Sequence, residues 1–117
     1  MVLFCVGKTS TTWPLLAKAP RLGISVLAAD QGQACRQLSA RTGDRFSGLE
    51  WRATPDGAVV IDEESGWFEC SIDQQAPAGD HDIVVLRVHD LDGDHSVPPL
   101  VFDGSRLRQL HPDVSGF

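Results

Sequence analysis

The stretch AGDHDIVVLRVHDLDGDH, residues 78–95, decides the fold more than any other part of the chain. Gly79 and Asp80 favour a tight turn, and the apolar run that follows His81 predicts a long strand over residues 82–91. Another strand is predicted just before this turn, over residues 67–73. Strands that follow one another with only turn residues between them favour an antiparallel sheet over alternating βαβ units.

The rest of the chain repeats this pattern and adds two helical segments. Ser10, Thr11 and Thr12 are cap-type residues that predict a short helix ended by Pro20, and Asp30 predicts the cap of a second helix over residues 31–42. The other predicted strands cover residues 2–6, 23–28, 58–61, 98–102 and 106–110. We therefore expect a mainly β antiparallel sheet or barrel with two short inserted helices, forming one domain over 1–117 with a frayed tail at 111–117.

Length and charge exclude several classes of protein. The chain has 117 residues and a net charge of -6, with 10 Lys and Arg against 16 Asp and Glu, so it offers little to neutralise a phosphate backbone and nucleic acid is not an expected partner. No apolar run reaches the roughly 20 residues of a membrane span, and the opening MVLFCVGK lacks a signal peptide's basic head, so we expect a cytoplasmic protein without a membrane partner. Cys5, Cys35 and Cys70 are widely spaced and predict reduced thiols.

The segment GKT at residues 7–9 resembles the end of a phosphate-binding loop, but its spacing is wrong. The first glycine of that motif would fall at Val2, inside a predicted strand, which argues against a nucleotide triphosphatase. A simpler interpretation stays open, because Lys8, the nearby hydroxyls and a helix N-terminus together suit one phosphate monoester. From the residues alone, an ordinary capped helix with a solvated lysine is favoured over this interpretation.

The acidic and histidine residues at 89–95 are equally ambiguous. Asp90, Asp92 and Asp94 match the first three ligand positions of a calcium loop, but His95 stands where that loop needs glycine, so a solvated acidic turn is favoured and no metal is expected. His81 and His89 are separated by a predicted strand about 26 Å long and cannot share one ion unless it bends back. His81 could hydrogen-bond or transfer a proton near neutral pH, but from the residues alone a solvated loop histidine is favoured.

Six segments, taken in order, carry a resemblance to a known family. They are CVGKTSTTWPLL, GISVLAADQ, GDRFSGLEW, FECSIDQ, AGDHDIVVLRV and PPLVFDGSRLRQL, and they run from about residue 2 to residue 110. Together they resemble the short-chain flavin reductases, which are FMN-binding split β-barrel proteins. The GDH triplet followed by an apolar strand is the most specific of these segments.

The resemblance implies a role for each matching residue. The loop that carries Lys8, Thr9, Ser10 and Thr12 matches one that contacts the flavin phosphate and ribityl chain. Other matches imply contacts along or beside the flavin ring, from Ser25, Val26, Leu27, Gln31, Arg45 and Phe46. His81 matches a histidine near flavin and nicotinamide, so it is the expected catalytic residue, acting by orientation or hydrogen bonding.

The same resemblance implies an activity and partners. We expect an NAD(P)H-dependent reductase that transfers a hydride to FMN, with FAD or riboflavin as other flavin substrates, and that supplies reduced flavin to a monooxygenase as a homodimer. The alternative is a non-catalytic or degenerate flavin-binding domain. Family members commonly carry Asn or Asp at Gly7, Asn at Ser25, and further strands upstream. We therefore expect a fragment of a longer reductase, truncated at its N-terminus, or a chain that completes its sheet by exchange with a second copy.

Overall fold

The computed structural model describes residues 1–40, 43–104 and 106–109, and it confirms a mainly β antiparallel fold. Eight strands and two helices occur in this described part. In chain order they are β1 (Val2–Gly7), α1 (Trp13–Leu16), β2 (Leu22–Val26), α2 (Gly32–Leu38), β3 (Trp51–Ala53), β4 (Val59–Ile61), β5 (Gly66–Ala78), β6 (His81–Gly93), β7 (Leu100–Asp103) and β8 (Arg106–Gln109).

Residues 78–95, the stretch quoted first, contain the turn and the second strand of a long hairpin. Strands β5 and β6 have 13 residues each and pair antiparallel, so that Ala78 faces His81 across a two-residue link. Gly79 in this link has a φ of 64°, a left-handed conformation that glycine adopts without the steric penalty of a side chain. The hairpin is the centre of a four-stranded sheet with the order β1-β6-β5-β2.

The outer strands cover different halves of this hairpin. Strand β1 pairs with the tip half of β6, from Gly7 facing His81 to Val2 facing Leu86, whereas β2 pairs with the base half of β5. Two smaller sheets, β3-β4 and β7-β8, complete the described strands. The offset of β1 and β2 gives the sheet a stepped outline, and the β1 end brings the first loop of the chain to the hairpin tip.

Two bulges interrupt the hairpin. Cys70 faces Val88 although Glu69 faces Asp90, so His89 is an extra residue on β6; Asp73 is likewise an extra residue on β5. A bulge bends its strand and increases the local twist. Both extra residues are polar and use their side chains on the neighbouring strand: His89 Nε2 lies 2.7 Å from Ser71 Oγ, and Arg87 Nη2 donates to Asp73 Oδ1 at 3.2 Å.

One face of the sheet forms the core. Leu22, Cys70, Val84 and Leu86 are buried there, and half-buried side chains from β1, α1, β2, β5 and β6 pack against them. Phe4 and Trp13 meet edge to face with their ring centroids 5.1 Å apart, which holds α1 over β1. Full burial of one such apolar side chain is worth about 1.5–3 kcal/mol, so this face supplies much of the driving force for folding.

Several predicted boundaries differ from those observed. The predicted cap at Asp30 is wrong, because α2 has Gln31 as its N-cap residue with no side-chain cap bond, and α2 ends at Leu38 with Ser39 as its C-cap. Strand β3 was not predicted, β5 extends to Ala78 rather than residue 73, and the strand predicted over 98–102 is observed at Leu100–Asp103. The predicted helix residues 41 and 42, the end of the last strand at Leu110 and the tail at 111–117 lie outside the described residues.

Candidate functional site

The loop after β1 is attached to the hairpin tip. The Lys8 backbone N–H donates to the Asp80 carbonyl at 3.0 Å, which extends the pairing of Gly7 with His81 by one residue. Lys8 and Thr9 are thereby placed beside His81, although they are far from it in sequence. The first loop and the GDH turn, which the sequence singled out separately, therefore form one surface.

The His81 imidazole is oriented by its neighbour. Nδ1 lies 2.8 Å from Asp80 Oδ1, and because an ionised carboxylate only accepts hydrogen bonds, Nδ1 carries the proton. The hydrogen bond from His81 and the attraction of its charge hold the pKa of Asp80 below its ordinary value. A Cβ built on Gly7 would lie 3.9 Å from both His81 Nε2 and Thr9 Oγ1, so these two polar atoms lie on either side of the same glycine.

The hydroxyls of the same loop keep donor capacity for a ligand. Ser10 Oγ accepts from the Trp13 backbone N–H at 3.1 Å and so fixes the start of α1, while Thr12 Oγ1 accepts from Arg45 Nη1 at 3.0 Å. In these contacts both hydroxyls act as acceptors, so each can still donate its O–H. Together with the Lys8 ammonium, this loop has the chemistry to bind an anionic group.

An apolar cleft of about 550 Å³ lies beside this loop. Five of the predicted cofactor-binding residues line it: Ser10, Thr12, Ser25, Leu27 and Phe46. The remaining lining residues are mostly apolar and come from β1, α1, β2, α2, β4, β6 and the intervening loops. Such a site, apolar with a few polar groups at fixed positions, is typical of sites that bind an aromatic cofactor.

Two of the predicted contacts lie elsewhere. Val26 is the last residue of β2, where successive side chains point to opposite faces, so it lies on another side from Ser25. Val26 is 38% exposed and lines a different cleft. The side-chain amide of Gln31 is already used within the protein, because Oε1 accepts from the Ala28 N–H and Nε2 donates to the Asp62 carbonyl, both at 2.8 Å. Gln31 thus holds the turn after β2 against the end of β4.

Sequence reasoning missed three residues that shape the site. Arg21 lines the apolar cleft, and its Nη1 is buried without a hydrogen-bond partner among the described residues. Gln37 on α2 donates to the Arg45 carbonyl at 3.1 Å and holds the loop that carries Arg45 and Phe46. Asp80 orients His81, and its position directly before the histidine was the one signal in the sequence that could have revealed it.

The acidic segment at the end of β6 and just after it has local hydrogen bonds. Asp90 and Asp92 each accept from the next residue's N–H. Asp94 accepts from the Ser96 hydroxyl and from the Ser96 N–H, and these two hydrogen bonds lower the pKa of Asp94. No group of three or more His, Cys, Asp or Glu suited to a metal ion occurs in residues 1–40, 43–104 and 106–109. In the same residues, no helix has the length and apolar character needed to cross a membrane.

Known proteins share both the sequence pattern and the fold. The reductase subunit of a flavin-dependent monooxygenase from Rhodococcus jostii is 29% identical over 113 residues, which are 97% of this chain and 58% of that subunit. Component B of nitrilotriacetate monooxygenase from Mycobacterium thermoresistibile superposes with a TM-score of 0.91 at 26% identity, covering 97% of this chain and 65% of that one. An NADH:FAD oxidoreductase of Streptomyces globisporus, in complex with NAD and FAD fragments, superposes with a TM-score of 0.89 at 30% identity, covering 96% and 68%.

These matches extend along nearly the whole chain, although the chain spans little more than half the length of the Rhodococcus subunit. The family model described as the flavin reductase like domain matches residues 1–111. The mainly β fold agrees with that match. The chain therefore belongs to the flavin reductase-like family.

Proposed function

We propose that the chain is an NAD(P)H-dependent flavin reductase that binds FMN and supplies reduced flavin to a monooxygenase. One observation carries this proposal: residues from three separate segments, Ser10 and Thr12, Ser25 and Leu27, and Phe46, line one apolar cleft, and the first of these segments is joined through Lys8 to the turn that precedes His81. The relatives named as reductase subunits of monooxygenases support the role, and the neighbour with NAD and FAD fragments supports the pair of substrates.

The residues present fit an FMN molecule. The cleft is apolar and has about 550 Å³, which suits a planar ring system, and the hydroxyls of Ser10 and Thr12 stand on its lining. Lys8 and Thr9 directly precede these hydroxyls and would hold the phosphate monoester. FAD and riboflavin share the same ring and are the alternative flavins, and the phosphate contacts are the reason that we favour FMN.

The protein's part in the reaction is alignment. When bound, the flavin would supply the hydride acceptor, and the chain would hold it against the apolar lining of the cleft. His81 has its Nδ1 fixed by Asp80, so its Nε2 presents a defined hydrogen-bonding atom beside Gly7 and Thr9. We propose that this atom orients the nicotinamide or the flavin, and that acid catalysis is not its main role.

Anaerobic stopped-flow mixing of the protein, FMN and NADH tests the proposal. We expect loss of the oxidised-flavin absorbance, about 10-fold or more slower in His81→Ala, in line with the usual cost of a misoriented reacting pair. His89→Ala is the matched control, because His89 lies on the same strand and its ring contacts Ser71 rather than the first loop. An unchanged rate in His81→Ala would remove the role of His81, and flavin binding without NADH oxidation would indicate a non-catalytic domain.

The same proposal includes the state and place in which the chain works. We propose a homodimer of single domains spanning 1–117. Two strand edges have no partner among the described residues: the edge of β1 that faces away from β6, and, in the tip half of β5, the edge that faces away from β6.

We also propose a cytoplasmic location, since Cys5, Cys35 and Cys70 are all free. Sedimentation velocity tests the first point, with a monomer at every concentration contradicting it, and cell fractionation tests the second.

A further inference from the structure

Helix α2 lies between two clefts. Its residue Leu38 lines the apolar cleft already described, whereas Cys35 and Ser39 line a separate cleft of about 740 Å³ between α2 and the β7-β8 hairpin. A Cβ built on Gly32 would lie 3.5 Å from Leu107 Cδ1, so the start of α2 packs closely on β8. The described lining of this arginine cleft consists of Cys35, Arg36, Ser39, Phe102, Arg106 and Leu107.

The arginine cleft brings together two guanidinium groups. Arg36 and Arg106 form no ion pair with a described residue, whereas Arg52, Arg87 and Arg108 each pair with a carboxylate. Arg21 and Arg45 form none either, but Arg21 lines the apolar cleft and Arg45 donates to Thr12. Acidic residues outnumber basic ones by 16 to 10, so carboxylates are plentiful. Asp103 faces Arg106 across the hairpin, yet the Asp103 carboxylate lies 3.7 Å from Arg108 Nε instead. Two guanidinium groups on different elements are therefore available to an external anion.

The same cleft presents an apolar group. Phe102 on β7 faces Leu107 on β8 and is 71% exposed, the largest exposed fraction among the exposed apolar side chains of the described residues. Aromatic and arginine side chains are the types enriched where proteins bind other proteins. A small inorganic anion would satisfy the arginines but would leave Phe102 in water.

We propose that the arginine cleft docks an acidic segment of a protein partner, with carboxylates on Arg36 and Arg106 and an apolar side chain against Phe102. Charge complementarity carries this choice of occupant, since a cationic cleft on a chain of net charge -6 attracts an acidic segment locally. The proposal does not depend on flavin reduction, and the cleft is distinct from the one that we assign to FMN.

Fluorescence anisotropy of two labelled peptides on the full 117-residue chain tests the proposal, without flavin. One decapeptide alternates Glu with Leu, and the other alternates Lys with Leu. We expect the Glu-containing peptide to bind and the Lys-containing peptide not to bind, and we expect added salt to lower the affinity. The double variant Arg36→Glu with Arg106→Glu should lower the affinity for the Glu-containing peptide about tenfold or more. Lys18→Glu with Arg87→Glu is the control, because it changes the net charge equally at exposed sites outside the cleft. We expect the control to bind within about twofold of the parent chain.

Phe102→Ala is a second, independent variant. Because Phe102 is exposed, the fold should persist, as far-ultraviolet circular dichroism will show, and we expect binding to weaken about fivefold. The proposal is overturned if the acidic peptide does not bind, if the control pair weakens binding as much as the cleft pair, or if Phe102→Ala has no effect. It is also overturned if inorganic pyrophosphate displaces the peptide as well as an excess of unlabelled peptide does, or if the cleft pair instead abolishes self-association in sedimentation.

Discussion

Replacing Gly23 by alanine should disrupt the contact between β2 and β4. A Cβ at this position would lie 1.8 Å from the Val59 carbonyl oxygen and 2.7 Å from the carbonyl carbon. Since non-bonded atoms do not approach closer than about 3 Å, the backbone of β4 would have to withdraw by more than about 1 Å. No side chain can rotate to relieve this contact, because the obstructing atoms belong to the backbone.

The cost of that displacement follows from what β4 holds. Val60 and Ala58 are fully buried, and the Ile61 N–H donates to Ser25 Oγ at 3.0 Å, so the shift would loosen the packing and lengthen this hydrogen bond. We expect at least about 3 kcal/mol of destabilisation, at the upper end of overpacking costs, and a Tm lower by roughly 10 °C. Because Ser25 lines the apolar cleft, flavin affinity should also fall.

Thermal unfolding followed by circular dichroism measures this effect. Gly7→Ala is the matched control, because its Cβ would have 3.9 Å to the nearest atoms and should change Tm by no more than about 2 °C. If Gly23→Ala unfolds within about 2 °C of the parent chain, the close approach of β2 and β4 is not a constraint on this fold, and the reasoning from the backbone contact is refuted.

Three further predictions concern the site and the thiols. Because the pKa of Asp80 is lower in the folded chain, this carboxylate stabilises the fold above its ordinary pKa of about 3.9, and that stabilisation is lost as the pH falls through the lower folded value. In unfolding titrations, Asp80→Asn should lack this loss of stability at acid pH. An identical pH profile for the variant and the parent chain would contradict the prediction. Arg45→Met removes the guanidinium that donates to Thr12, and it should weaken FMN binding about tenfold in a fluorescence titration. If riboflavin binding weakens equally, the FMN phosphate is not involved. Cys5 is exposed, whereas Cys70 is fully buried and its burial raises the pKa of the thiol. A thiol reagent should therefore modify Cys5 first. If mass spectrometry finds both cysteines modified at the same rate, this order is contradicted.

The fold was largely predictable because its strands are apolar and separated by turn residues. Strands β5 and β6 carry this pattern most clearly, and they form the central hairpin. Strand β3 was missed because all three of its residues are exposed, so no alternation of apolar and polar side chains marks it, and only pairing with β4 defines it. The second helix was predicted too long because residues up to 42 are compatible with a helix, while Ser39 closes it.

The site was only partly predictable. The family resemblance indicated the first loop and His81, but their proximity depends on the pairing of Gly7 with His81, which no local pattern specifies. The prediction grouped Val26 with Ser25 and Leu27, although the period of two in a strand already places Val26 on another side. Arg21 belongs to no sequence motif, and the burial of its Nη1 at the apolar cleft is a property of the folded chain alone.

In the long hairpin, the residues that set the bend of the sheet differ from those that set its cross-strand pairing. If Asp73 and His89 were both deleted, every remaining residue could keep the cross-strand neighbour that it has now, since each extra residue stands without a partner of its own. The ladder would become regular and would lose the added bend and twist. The paired residues therefore determine the cross-strand contacts, whereas Asp73 and His89 determine the added curvature. A sequence could drift toward a flatter or a more curved sheet by gaining or losing single residues, without re-selecting the apolar pairs that hold the core together.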